Sequence, residues 1–129
     1  MVTAVRTHLM FEGDAEEAIN LYTRLFEFSE IKSIDRYEDG DAAGKIRVAV
    51  FTLAGREFMA IDSFVTHQFT FTPAMSVFVD CESIEEFERV YAALSEGGHA
   101  LMPAENYGFS QRFGWLNDRF GVSWQINLP

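Results

Sequence analysis

The sequence predicts an α+β fold built from two tandem β-α-β-β-β modules inside one domain, and two observations carry that reading. The first is an internal repeat. Asp14, Glu16, Glu17, Ala18, Tyr22 and Leu25 are answered, at a constant offset of 69 residues, by Ser83, Glu85, Glu86, Phe87, Tyr91 and Leu94. Towards the end of each copy Gly55 and Phe58 are answered by Gly121 and Trp124 at an offset of 66. The second observation is that short apolar runs bounded by Gly, Pro, Asp and Asn flank each repeated segment, the signature of strands around a helix. We expect one domain over residues 1–129, made of a module 1–62, a linker 63–73 and a module 74–129.

Val5 to Phe11 reads as a strand apolar on both faces, followed by a Glu12-Gly13 turn and a helix from Asp14 to Phe26. Asp14 stands at the capping position, Glu16 and Glu17 meet the positive end of the helix dipole, and Ala15, Ala18, Ile19, Tyr22, Leu25 and Phe26 form an apolar stripe. Ser29 to Tyr37 and Arg47 to Leu53 read as strands, and Ala54-Gly55 as the tight turn into a hairpin partner, Glu57 to Asp62. In the second copy the strand Met75 to Asp80 precedes a helix from Ser83 to Ser95, with Ile84, Phe87, Val90, Tyr91 and Leu94 as its stripe and Gly97-Gly98 as its stop. A short strand His99 to Met102, a loop from Pro103, and the strands Arg112 to Asn117 and Ser123 to Leu128 complete it.

The chain is 48% hydrophobic with 13 Phe, enough for a sizeable core. Its formal net charge of −10, with no basic stripe, argues against nucleic acid as a partner. No segment is apolar for long enough to span a membrane and the N-terminus lacks a signal-peptide pattern, so a cytoplasmic protein without a membrane partner is the expectation. The single cysteine, Cys81, has no neighbouring Cys or His at metal-ligand spacing and reads as structural, with a reactive thiol as the alternative.

Three blocks resemble a known family: Phe11-Glu12-Gly13-Asp14-Ala15-Glu16-Glu17-Ala18-Ile19-Asn20-Leu21-Tyr22, then Phe58-Met59-Ala60-Ile61-Asp62, and Trp115-Leu116-Asn117-Asp118-Arg119-Phe120-Gly121-Val122-Ser123-Trp124-Gln125-Ile126. They are similar to the PhnB-like, demethylubiquinone methyltransferase-like branch of the vicinal-oxygen-chelate superfamily, which includes glyoxalase I, bleomycin-resistance proteins and extradiol dioxygenases. The resemblance implies a glyoxalase-like incomplete barrel. It also implies, for the superfamily's metalloenzymes, one ligand on the first and one on the fourth strand of each module, facing a common cleft. Carried over through the repeat offsets, those positions are Thr7, Met59, Ser76 and Gln125. Two hydroxyls, a thioether and an amide make a poor site for a hard divalent cation, so no metal and no cofactor is expected.

The remaining candidates point the same way. With Thr7 on the cleft side, strand alternation turns His8 towards the helices, where it reads as a structural histidine; His67 and His99 read as loop residues. Glycine-rich cofactor-binding spacing is missing: Gly13 precedes a helix without G-x-G-x-x-G, so methyl transfer is not inferred. Asp62 and Asp80 are strand-end carboxylates of the kind that serve turns or caps; Arg112 is a candidate anion contact, and so is Arg119, although its place in a turn favours a solvated or salt-bridged side chain. The expected ligand-binding cleft is lined by Thr7, Leu9, Met59, Ile61, Ser76, Phe78, Trp115 and Gln125, an apolar and aromatic surface with a few neutral hydrogen-bonding groups. This favours a metal-free binder of a small organic ligand, acting in sequestration, resistance or sensing and forming a homodimer. The alternative is a metal-dependent lyase, isomerase or dioxygenase of the same superfamily.

Overall fold

The computed structural model describes residues 1–129, and the chain divides into two compact units, Met1–His67 and Gln68–Pro129. The division falls within the segment read as a linker. The first unit contains β1 (Thr7–Phe11), α1 (Ala15–Leu25), β2 (Glu30–Arg36), β3 (Ile46–Leu53) and β4 (Arg56–Asp62). The second contains β5 (Val77–Asp80), α2 (Ile84–Ser95), β6 (His99–Glu105), β7 (Arg112–Asn117) and β8 (Ser123–Leu128). Each unit is therefore a β-α-β-β-β module, as the repeat predicts.

The two sheets share one topology. Their strand orders are β1-β4-β3-β2 and β5-β8-β7-β6, with the first and last strands of each module parallel and the remaining pairs antiparallel. Both sheets are open, and each carries its own helix on one face.

In the first module α1 buries Ala15, Ala18, Ile19, Tyr22 and Leu25, and the facing side of the sheet buries Leu9, Phe11, Ala49, Phe51, Phe58 and Ala60. Phe51 and Phe58 stack at 5.5 Å across the β3–β4 pair. In the second module Phe87, Val90 and Leu94 of α2 are buried, as are Leu116, Trp124 and Ile126 of the sheet. Each large side chain so buried contributes about 2 kcal/mol relative to exposure. Ile84 remains exposed at the start of α2, and Tyr91 is half-buried, its ring stacked on Phe87 at 5.9 Å.

Three details differ from the sequence reading. Asp14 makes no side-chain cap; the buried Asp62 at the end of β4 does that work instead. Its Oδ1 accepts from the backbone N–H groups of Gly13 (2.8 Å) and Ala15 (3.0 Å), and its Oδ2 from Ile46 N–H (3.0 Å), tying the start of α1 to two strands. Strand β6 runs on through Pro103 to Glu105 where a loop was expected. It lies at the sheet edge and its ladder is irregular, so the N–H that proline lacks leaves no central pairing unmade. Finally the first strand of each module starts two residues late, β1 at Thr7 instead of Val5 and β5 at Val77 instead of Met75.

The β3–β4 hairpin turns at Ala54-Gly55, both at positive φ (50° and 81°), the conformation a two-residue hairpin loop requires. The corresponding β7–β8 connection is longer and is organised by a side chain: Asp118 Oδ1 accepts from the backbone N–H groups of Phe120 and Val122, and its Oδ2 from the Trp124 indole at 2.9 Å.

Candidate functional site

Strand register decides which side chains lie on the face of each sheet away from its helix. In the second module Phe78 pairs with Gln125 and Trp115 pairs with Gln125, which puts all three on one face. Alternation adds Asp80, Phe113, Asn117, Ser123 and Asn127, and Ser76, one residue before β5, joins them through a bond to Ser123. Gly114, Leu116, Trp124 and Ile126 take the helix face. Gly114 is required there, because a Cβ would sit 2.4 Å from the Tyr91 ring.

Four of the expected cleft residues, Ser76, Phe78, Trp115 and Gln125, thus share a surface, and Ser123, which the sequence reading omitted, connects them. The Trp115 indole N–H donates to Ser123 Oγ at 3.0 Å, the hydroxyls of Ser123 and Ser76 are 2.7 Å apart, and Gln125 Nε2 donates to Ser76 Oγ at 3.2 Å. Two hydroxyls joined by one mutual hydrogen bond use one proton between them, which leaves the other proton and the Gln125 side-chain carbonyl to hydrogen-bond a ligand. Ser123 is buried, Trp115 and Gln125 are half-buried, and Phe78 is exposed beside them. The network holds the indole and the amide in fixed orientations.

The first module corrects the expectation. In the parallel β1–β4 pair, Thr7 is matched to Phe58, Leu9 to Ala60 and Phe11 to Asp62. Thr7 and Leu9 therefore lie on the helix face, away from Met59 and Ile61. The residues that share the other face with Met59 and Ile61 are His8 and Met10, joined by Val48 and Val50 of β3. The cause is a missing residue. The helix caps Asp14 and Ser83 correspond at an offset of 69, but His8 pairs with Met59 where Phe78 pairs with Gln125, so the first strands correspond at 70. The second module is one residue shorter between strand and helix, and transferring the helix offset to the strand shifted every β1 side chain to the wrong face.

With the register corrected, the positions implied for a superfamily metal are His8, Met59, Phe78 and Gln125. One imidazole with a thioether, a phenyl ring and an amide does not fit a hard or borderline dication, and no group of three or more His, Cys, Asp or Glu residues is arranged to hold one. The other candidates have structural partners. His67 Nε2 lies 2.9 Å from Ser63 Oγ, and His99 is exposed on β6 opposite Asn117. Arg112 lies over the Phe87 ring on the helix side, and Arg119 over Phe120. Burial pushes the Cys81 thiol up to about 11, which keeps it protonated and unreactive near neutral pH.

The family of models named 3-demethylubiquinone-9 3-methyltransferase matches residues 3–127, nearly the whole chain. The chain belongs to that family. It is the family to which the solved PhnB protein is also assigned by its description. The solved PhnB protein from Bacillus cereus is 54% identical, with a TM-score of 0.95, over 98% of this chain and 100% of that one. Protein YjdN from Escherichia coli K12 is 25% identical over 136 residues, spanning 94% of this chain and 92% of the relative. FosX, a fosfomycin resistance protein from Listeria monocytogenes, shares the fold at 13% identity and a TM-score of 0.60, over 100% of this chain and 95% of that one. No helix of this PhnB-like chain is long and apolar enough to cross a membrane.

Proposed function

We propose that this PhnB-like protein binds a small organic ligand without a metal ion, on the face of the second sheet that carries Ser76, Phe78, Trp115, Ser123 and Gln125, and that it serves in sequestration, resistance or sensing. The observation that carries this reading is the Trp115–Ser123–Ser76–Gln125 network. It fixes an aromatic plate beside one hydroxyl donor and one amide acceptor, the mixture of apolar area and few oriented polar groups that small-molecule sites use. Against methyl transfer stands the open, mostly antiparallel sheet, which offers no glycine-rich strand-to-helix turn for a sulfonium cofactor. The reading includes a cytoplasmic homodimer, since β1, β2, β5 and β6 are all sheet edges able to pair with another chain.

The test is a thermal-shift screen of chelator-treated protein against small aromatic metabolites and antibiotics, repeated on Trp115→Ala and Gln125→Leu. Hits that stabilise the parent and are lost in both folded variants support the site. Hits that stabilise all three proteins equally remove it, and stabilisation only by a divalent ion returns the protein to the metal-dependent class.

A further inference from the structure

The face away from α2 contains a second arrangement that the network above leaves unused. Glu105, Phe113, Asn127 and Asp80 are consecutive partners across β6, β7, β8 and β5, so they form one row on that face. At about 4.8 Å per strand, the two carboxylates stand roughly 14 Å apart at the row's ends, with a phenyl ring and an amide between them. Further rings gather on this row. Phe78 lies 6.3 Å from Phe113, and the loop between β6 and β7 brings Phe109 to 5.1 Å and Tyr107 to 6.2 Å from the same ring. Phe109 and Phe78 are 64% and 54% exposed, large apolar areas left in water.

The polar groups of the row are nearly all acceptors. Asp80 accepts from Asn127 Nδ2 at 2.9 Å, while Asn127 Oδ1 is buried and accepts from nothing. Neither Asp80 nor Glu105 belongs to an ion pair. Arg112, adjacent in sequence to Phe113, is turned to the helix side against Phe87 and does not neutralise the row. Burial, and after it the Glu105 carboxylate, raise the pKa of the Tyr107 phenol. The surface is complementary to positive charge on an apolar body, and the chain's net charge of −10 acts in the same direction.

We infer that the Glu105–Phe113–Asn127–Asp80 row, with Phe78 and Phe109, recognises an organic cation: an ammonium or amidinium group carried on an aromatic body. The inference rests on the small-molecule reading above and names the class of its ligand. The ring lies against Phe78, Phe109 and Phe113, and the cationic N–H groups donate to Asp80 or Glu105. Each carboxylate is exposed, so its neutral isostere leaves the fold intact.

Isothermal titration of the full chain with naphthylethylammonium, naphthylethanol and naphthylpropionate tests it. The ammonium is expected to bind about ten-fold more tightly than the alcohol, with the carboxylate weakest, the combined effect of a cation–π contact and one charged hydrogen bond. The advantage should shrink in added salt and disappear in the Asp80→Asn/Glu105→Gln double variant. Equal binding of ammonium and alcohol would overturn the cation preference while leaving the organic-ligand reading intact. Ammonium binding unchanged in the double variant would overturn the location. No binding by any of the three overturns this inference, and the broader reading is then decided by the Trp115 screen. A dimer that Phe109→Ser converts to monomer in light scattering, with no ammonium binding by the parent, would assign the patch to a second copy and overturn the inference as well.

Discussion

The two modules have the same strand order and the same helix placement, yet they use buried polar groups differently. In the first, one carboxylate reaches across the fold: Asp62 caps α1 and holds the first residue of β3. In the second, capping is local, with Ser83 Oγ accepting from Glu86 N–H and Glu86 Oε1 accepting from Glu82 N–H. The faces away from the helices diverge further. Val50, Met59 and His8 stand where the second module has Trp115, Gln125 and Phe78. A hydrogen-bonded aromatic surface occurs in one copy and an apolar one in the other. The duplicated backbone tolerates this because its stability comes from the helix face, leaving the opposite face free to specialise.

The largest expected break of the comparison is Asp62→Ala. Three backbone N–H groups would lose their acceptor, two of them buried, at a cost of about 4 kcal/mol by urea denaturation. Ser83→Ala, which removes only a local cap, should cost about 1 kcal/mol, and a similar loss in both variants would remove the distinction. Gly98→Ala tests the α2–β6 junction, where a Cβ would meet the Asn117 carbonyl oxygen at 2.3 Å; about 2 kcal/mol of destabilisation is expected in the same assay. At the α1–β2 junction the sign reverses. Phe28 is exposed and held at φ 57°, so Phe28→Gly should be neutral or stabilising by up to about 1 kcal/mol.

The smallest effect concerns Cys81, which occupies the strand end corresponding to Phe11. Its folded pKa of about 11 lies above the ordinary 9.0, so its contribution to stability is fully present below 9.0 and is lost as pH rises towards 11. Thiol reagents near neutral pH should label the folded protein much more slowly than the urea-unfolded chain; equal rates would mean that the thiol is not buried.

Much of the fold was legible because helices and strands carry their own periods. The stripes at Ala18, Ile19 and Tyr22 and at Phe87, Val90 and Leu94 became the helix cores, and the hairpin at Ala54-Gly55 followed from its turn chemistry. What failed was tertiary. Nothing local to Asp14 shows that a carboxylate 48 residues later does its capping. Nor does the spacing of the helices reveal that one residue is missing after β5, the change that moved Thr7 and Leu9 off the face assigned to them and placed His8 on it. The second module's face was easier to read, because Trp115 and Gln125 lie in the most distinctive block of the sequence, whereas Ser123 gave no signal of its role beyond its place in that block.

The most direct test of the account is the metal content of untagged protein purified without chelator, by mass spectrometry of the eluted ions. A metal-free ligand site predicts substoichiometric metal and no thermal stabilisation on adding zinc, nickel, manganese or iron(II). One equivalent per chain with a matching stabilisation, lost in His8→Ala, would contradict it and make the chain a metalloprotein.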